Sequence, residues 1–179
     1  LHTGKRVHTE TEIDEAGSSM VSFAFDQATQ RMGVEDLHGK TALILGAGAM
    51  ASLAATHAGR LGAELIIANR TRERAERLAS HAHEAGVHAE VIDFEDRARV
   101  LGRVDLAISA TGAQNFTIEA GDVAKHGATG RALMLIDLSL PRDIEDATAE
   151  AEGVDLVNIE RLSRSLSAAD TDIAAGTSP

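Results

Sequence analysis

Leu43-Ile44-Leu45-Gly46-Ala47-Gly48-Ala49-Met50-Ala51 is the stretch on which the fold turns. It reads as the end of an apolar strand, a G-x-G-x-x-A turn and the opening of a helix. In such a unit Gly46 allows the tight turn. Gly48 has no Cβ, so the backbone can come close to a pyrophosphate, and Ala51 lets the helix pack near the strand. Ala47, Ala49 and Met50 complete the loop, and the first amides of the helix, with the positive end of its dipole, face the phosphates. The competing reading is a sharp βα turn that binds nothing. A strand before it, a helix after it and a second strand at the right distance favour the nucleotide reading.

Outward from that turn, apolar runs alternate with helical patterns. Residues 41–45 (TALIL), 64–68 (ELIIA), 88–92 (HAEVI), 104–110 (VDLAISA), 132–138 (ALMLIDL) and 154–157 (VDLV) are short and apolar. Nearly continuous apolar runs of this length mark buried parallel strands. Helical period appears over 49–61, 71–85, 95–102 and 119–126, with a short stretch at 144–152. The fold class is therefore α/β: a doubly wound parallel sheet of about six strands, the Rossmann NAD(P)-binding fold, with helices on both faces. Residues 1–17 are polar and show no usable period. A helix over 18–32 follows, with Val21, Phe25, Ala28 and Met32 on one face and Gly33 as its C-terminal cap. Residues 158–167 read as another helix start, and 168–179 as a small, polar end.

The exit of the second strand selects the cofactor. Asn69-Arg70-Thr71-Arg72 lies about 20 residues past the glycines, where an NAD site carries an acid for the ribose 2′-hydroxyl. This chain has no acid there. An acid would repel a 2′-phosphate, whereas guanidiniums hold one with charge-assisted hydrogen bonds. The expectation is NADP(H), with Arg70 also able to lie flat on the adenine. Thr71 is in addition expected to cap the next helix. The alternative leaves both arginines solvated. The fourth strand runs into Thr111-Gly112-Ala113, at the sheet edge where open α/β sheets bind ligands. Thr111 and Gly112 are candidates for the nicotinamide ribose, set against an ordinary strand-to-helix turn. Pro141 stops the fifth strand, and its loop falls at the same edge.

Composition narrows the rest. The chain has 179 residues, 44% hydrophobic, with four Phe and no Trp or Tyr, so its core is aliphatic. A formal charge of −11 disfavours direct nucleic-acid binding. No apolar run is long enough to span a membrane. Cysteine is absent, which excludes disulfides, thiolate metal sites and a cysteine nucleophile within these residues and fits a cytoplasmic setting. His81 and His83 are two apart on a helix and do not share a face, so no metal site is expected. His57 is assigned to surface or packing. No nucleophile–base pair is legible, and no catalytic residue is assigned.

GKRVHTETEI, GAGAMA, ANRTRERAERLA, SATGA and IDLSLPRDI, in this order and spacing, resemble the NADPH-binding domain of glutamyl-tRNA reductase. The resemblance covers roughly residues 4–165. GAGxMx followed by ANRT is shared with shikimate-dehydrogenase-like domains, and the GKRVxTET and LPRDI segments make the match more specific. It implies reduction of glutamyl-tRNA to glutamate-1-semialdehyde, the first committed step of tetrapyrrole (porphyrin and heme) synthesis. In that family a cysteine of an N-terminal catalytic domain attacks the aminoacyl ester, and the thioester then receives hydride from NADPH. A C-terminal helical domain dimerises the enzyme.

The resemblance implies that Gly46 to Ala51 form the pyrophosphate loop and Asn69 to Arg72 the 2′-phosphate site. Residues 1–17 would be a connector from the catalytic domain, 18–165 the NADP(H)-binding domain and 166–179 the start of a linker to the dimer domain. With no cysteine and a first residue other than Met, the chain is expected to be an excised cofactor domain, inactive alone. Glutamyl-tRNA would be met only through the missing catalytic domain. A homodimer and hand-over to the glutamate-1-semialdehyde aminomutase would belong to the full-length protein. Two other readings stay open: the cofactor half of a shikimate/quinate-dehydrogenase-like enzyme, and a non-catalytic NADP(H)-binding regulatory domain.

Overall fold

The apolar runs become β1 (Thr41–Leu45), β2 (Glu64–Ala68), β3 (Ala89–Val91), β4 (Leu106–Ser109), β5 (Leu133–Asp137) and β6 (Val154–Asn158) in a computed structural model. The structure describes residues 2–160, with side chains from residue 15 onward. The strands form one parallel sheet in the order β3-β2-β1-β4-β5-β6. Chain direction across the sheet reverses between β1 and β4, the switch point at which ligands bind in such sheets. Leu45 is paired with Ser109, and Ser109 with Asp137, so the loops leaving β1, β4 and β5 start at one level.

Each strand sends alternate side chains to opposite faces. Ala42, Ile44, Leu65, Ile67, Leu106, Ile108, Met134 and Ile136 join one aliphatic core with the buried faces of three helices. These are α1 (His2–Met32), α2 (Ala49–Arg60) and α3 (Arg72–Glu84). Leu43, Leu45, Ile66, Ala107, Leu133, Leu135 and Leu156 face the other core, which Phe94, Val100, Leu101, Val104, Ile118, Val123 and Ile144 close.

Two expectations need correction. Residues 2–17 do not lie outside helical structure, since α1 runs back to His2. Periodicity finds helices that bury a face, and this polar half offers no apolar stripe to read. Among the described side chains, from residue 15 onward, the buried face begins at Val21, and Ala24, Phe25 and Ala28 follow. The far end agrees with the sequence: Gly33 N–H donates to Gln30 O and Val34 N–H to Thr29 O, the Schellman pattern.

The second correction concerns helix length on the other face. The stretches 95–102, 119–126 and 144–152 form one-turn helices, α4 (Arg97–Val100) and α5 (Ala120–Val123), among 3₁₀ turns. Gly121 lies within the second stretch and Gly127 and Gly130 follow it closely, and glycine weakens a helix interior. Of the expected helix over 158–167, all but its first residues lies outside the described residues, as does the segment 166–179. Among the described residues no helix is long and apolar enough to cross a membrane.

Candidate functional site

The glycine turn has the local geometry its residues imply. Gly46 sits at φ 116°, and a Cβ there would meet Ala110 O at 2.6 Å, so only glycine fits. Gly46 N–H donates to Ala68 O, tying the turn to the end of β2. Ala51 is fully buried beneath the turn. Gly48 is different. It caps α2 at φ −82°, ψ −166°, an ordinary extended conformation, and an added Cβ would meet nothing within 4 Å among the described residues. Neither backbone conformation nor internal packing requires glycine there. What a Cβ would fill is the space in front of the first amides of α2, which have no intrahelical acceptor. The first turn of α2 carries no acid. The cradle fits the pyrophosphate of a dinucleotide.

Beside it lies a groove of about 410 Å³ lined by Ala47 and Gly48 of the turn, by Ala49 and Ser52 from α2, and by Arg74, Arg77, Leu78 and His81 from α3. Among the described residues, Arg74 and Arg77 have no ion-pair partner. The sequence reading stopped at Arg72 and missed them. Their signal was present: 74, 77 and 81 share one helical face, which the packing of α3 beside α2 turns toward the glycine turn.

Arg72 points elsewhere. Its Nε lies 3.1 Å from Glu76 Oε1, and an Nη donates to Asp93. Arg70 is exposed, with its guanidinium 4.8 Å from the centre of the Phe94 ring, which Arg97 also covers at 4.2 Å. Asn69 Nδ2 donates to Thr71 O at 3.0 Å. Thr71 occupies the N-cap of α3, but its side chain makes no capping hydrogen bond. The expected hydroxyl cap is absent, and the backbone carbonyl alone accepts from Arg74 N–H.

The third group sits at the ends of β4 and β5. Gly112 has φ 62°, and a Cβ there would meet nothing within 4 Å. Thr111 is committed to the protein: its N–H and its hydroxyl donate to Asp143 Oδ2 at 2.7 and 2.9 Å, and its Oγ1 accepts from Ala113 N–H. Its hydroxyl therefore serves the turn itself and not an outward-facing ligand contact. Asp137 accepts from the N–H groups of Ser139, Asp143 and Ile144 at 2.8 to 3.0 Å. Burial pushes its carboxyl up to about 7; those backbone bonds oppose the rise, and the neighbouring Asp143 adds to it. The sequence reading quoted both acids within the loop without assigning them. Two acids six residues apart, the first ending an apolar strand run, were the available sign. His57 stacks against Phe25, ring centres 4.9 Å apart, and burial lowers its pKa, which agrees with a packing role.

A doubly wound sheet in this strand order, with an open glycine cradle at its switch point and guanidiniums beside it, defines a dinucleotide-binding domain of the Rossmann class. The model of the shikimate / quinate 5-dehydrogenase family matches residues 26–165, and the chain belongs to that family. Over its whole length it is 77% identical to a glutamyl-tRNA reductase of Corynebacterium aurimucosum, and over 98% of its length 65% identical to that of Corynebacterium efficiens. It spans 39% and 38% of those two proteins. The solved glutamyl-tRNA reductase of Methanopyrus kandleri superposes with a TM-score of 0.69 at 33% identity, over 89% of this chain and 39% of that one. A shikimate dehydrogenase solved with NADP+ shares the fold at 22% identity and a TM-score of 0.58, over 78% of this chain and 50% of that one. The resemblance drawn from the motifs is thus borne out by relatives that carry that name.

Proposed function

We propose that the chain binds NADP(H) and serves as the cofactor domain of a glutamyl-tRNA reductase, the enzyme that makes glutamate-1-semialdehyde for tetrapyrrole synthesis. The observation that carries the cofactor reading is Gly48, a glycine with no conformational or packing need of its own among the described residues, beside Arg74 and Arg77, which have no ion-pair partner among those residues. The names of the relatives support the reaction, and they favour it over a shikimate or quinate dehydrogenase.

Bound NADPH supplies the hydride. In this reading Gly46, Ala47, Gly48, Ala49, Met50 and Ala51 seat the pyrophosphate. Asn69, Arg70, Thr71 and Arg72 face the adenosine ribose, and Arg74 and Arg77 add positive charge toward its 2′-phosphate. Thr111, Gly112 and Ala113 border the nicotinamide end. The chain has no cysteine, and its charge is −11, so thioester chemistry and tRNA recognition are assigned to another domain of the longer enzyme. Dimerisation and transfer of the aldehyde to the aminomutase are assigned there too, in a cytoplasmic protein.

Calorimetric titration of the chain with NADPH and with NADH tests the cofactor. NADPH is expected to bind at least about tenfold tighter, the equivalent of one charge-assisted contact. Equal affinities would refute the assignment.

A further inference from the structure

The loops that leave β4 and β5 meet at one buried carboxyl group. Asp143 is wholly inaccessible to solvent. Its Oδ2 accepts from Ser109 Oγ at 2.8 Å, Thr111 N–H at 2.7 Å, Thr111 Oγ1 at 2.9 Å and Ser139 Oγ at 2.8 Å. Its Oδ1 is buried and has no hydrogen-bond partner among the described residues. Ser139 Oγ also accepts from Gly112 N–H at 3.3 Å, which reaches the middle of the 111–113 turn. Asp143 N–H in turn donates to Asp137 Oδ2 at 2.8 Å, so the base of the loop is held as well.

Joining two loops does not need this. Apolar side chains of the same volume would close the edge without desolvating a carboxyl group or leaving one of its oxygens unmatched. What a polar hub gives and an apolar contact does not is direction: each donor fixes the orientation of one group. The groups fixed here, Ser109, Thr111, Gly112 and Ser139, lie at the carboxyl ends of β4 and β5, beside the switch point.

We propose that Asp143 is a positioning residue, which sets the 111–113 turn against the nicotinamide half of the cofactor through Thr111 and Ser139 without touching the cofactor itself. This rests on the NADP(H) reading above. The adenosine end lies on the other side of the glycine turn, among residues 69–77, and draws nothing from this hub. Loss of Asp143 therefore separates the two halves of the ligand.

The test compares NADPH with adenosine 2′,5′-bisphosphate, which carries only the adenosine end, by calorimetry on the full chain. Asp143→Ala is expected to weaken NADPH by about tenfold or more and the bisphosphate by less than about twofold. Asp143→Asn keeps an acceptor oxygen for the same donors and is expected to stay within about threefold of wild type for NADPH. If Asp143→Ala does not fold, Ser139→Ala removes one link and should show the same selective loss at smaller size. Equal weakening of both ligands, or unchanged NADPH affinity in a folded variant, would overturn the proposal. A wild-type chain that binds the bisphosphate but not NADPH would overturn it while sparing the adenosine site. One that binds neither would overturn the cofactor reading and the proposal together.

Discussion

Replacing Gly48 with valine separates ligand binding from folding. The residue lies at φ −82°, ψ −166°, where β-branched side chains are at ease, and nothing stands within 4 Å of its Cβ position. The cost to the fold is the poorer N-cap, about 1 kcal/mol. In a domain of this size that lowers the melting temperature by roughly 2–4 °C. The cost to binding is larger. A valine side chain in front of the first turn of α2 keeps a phosphate away from the amides there. Losing two charge-assisted hydrogen bonds, at roughly 1.5–3 kcal/mol each, weakens NADPH by roughly 3–6 kcal/mol. That is about a hundredfold to ten-thousandfold in affinity. Calorimetric titration alongside thermal melts reads both quantities on one preparation. A variant that melts close to wild type and binds NADPH within about threefold of it would refute the cradle.

Arg74→Ala is expected to weaken NADPH by on the order of tenfold to a hundredfold and NADH little. Arg70→Ala and Arg72→Glu should act in the same direction, Arg72 more weakly because Glu76 and Asp93 already occupy it; equal losses for both cofactors would reject the phosphate site. Gly46→Ala should destabilise the chain by at least about 2 kcal/mol, since the new methyl meets Ala110 O at 2.6 Å on a left-handed backbone, and unchanged thermal stability would contradict the geometry. Asp137 keeps its proton in the folded chain up to about pH 7, whereas unfolded it ionises near the ordinary aspartate value. Its contribution is therefore full in acid and is lost as pH rises through about 7. Asp137→Asn should cost more stability at pH 5 than at pH 8 by urea unfolding, and a cost that does not change with pH would count against a raised carboxyl.

The local code carried most of the fold. β1 and β2 stand where their apolar runs stand, and the other four differ by a residue or two at their ends. The glycine turn is legible from its own residues and the strand before it, although Ala110 O and Ala68 O, from the ends of β4 and β2, hold it in place. The helices of the second face were not legible, because an element that buries only a few side chains leaves no period; the first half of α1 is polar in sequence and offers no apolar period to read. The substituents of the site divide the same way. That guanidiniums follow β2 is written in the sequence; which of them reach the glycine turn is not, because Arg74 and Arg72 differ only in the side of α3 they occupy. Asp93, 21 residues beyond Arg72, claims one, and the packing of α3 on α2 presents the other. The Asp143 hub is a product of tertiary structure altogether. Ser109 and Thr111 lie 34 and 32 residues from it, and only the pairing of β4 with β5 brings those donors to one oxygen. Periodicity records which residues are buried, and the meeting of polar groups from separate strands depends on how the sheet is wound.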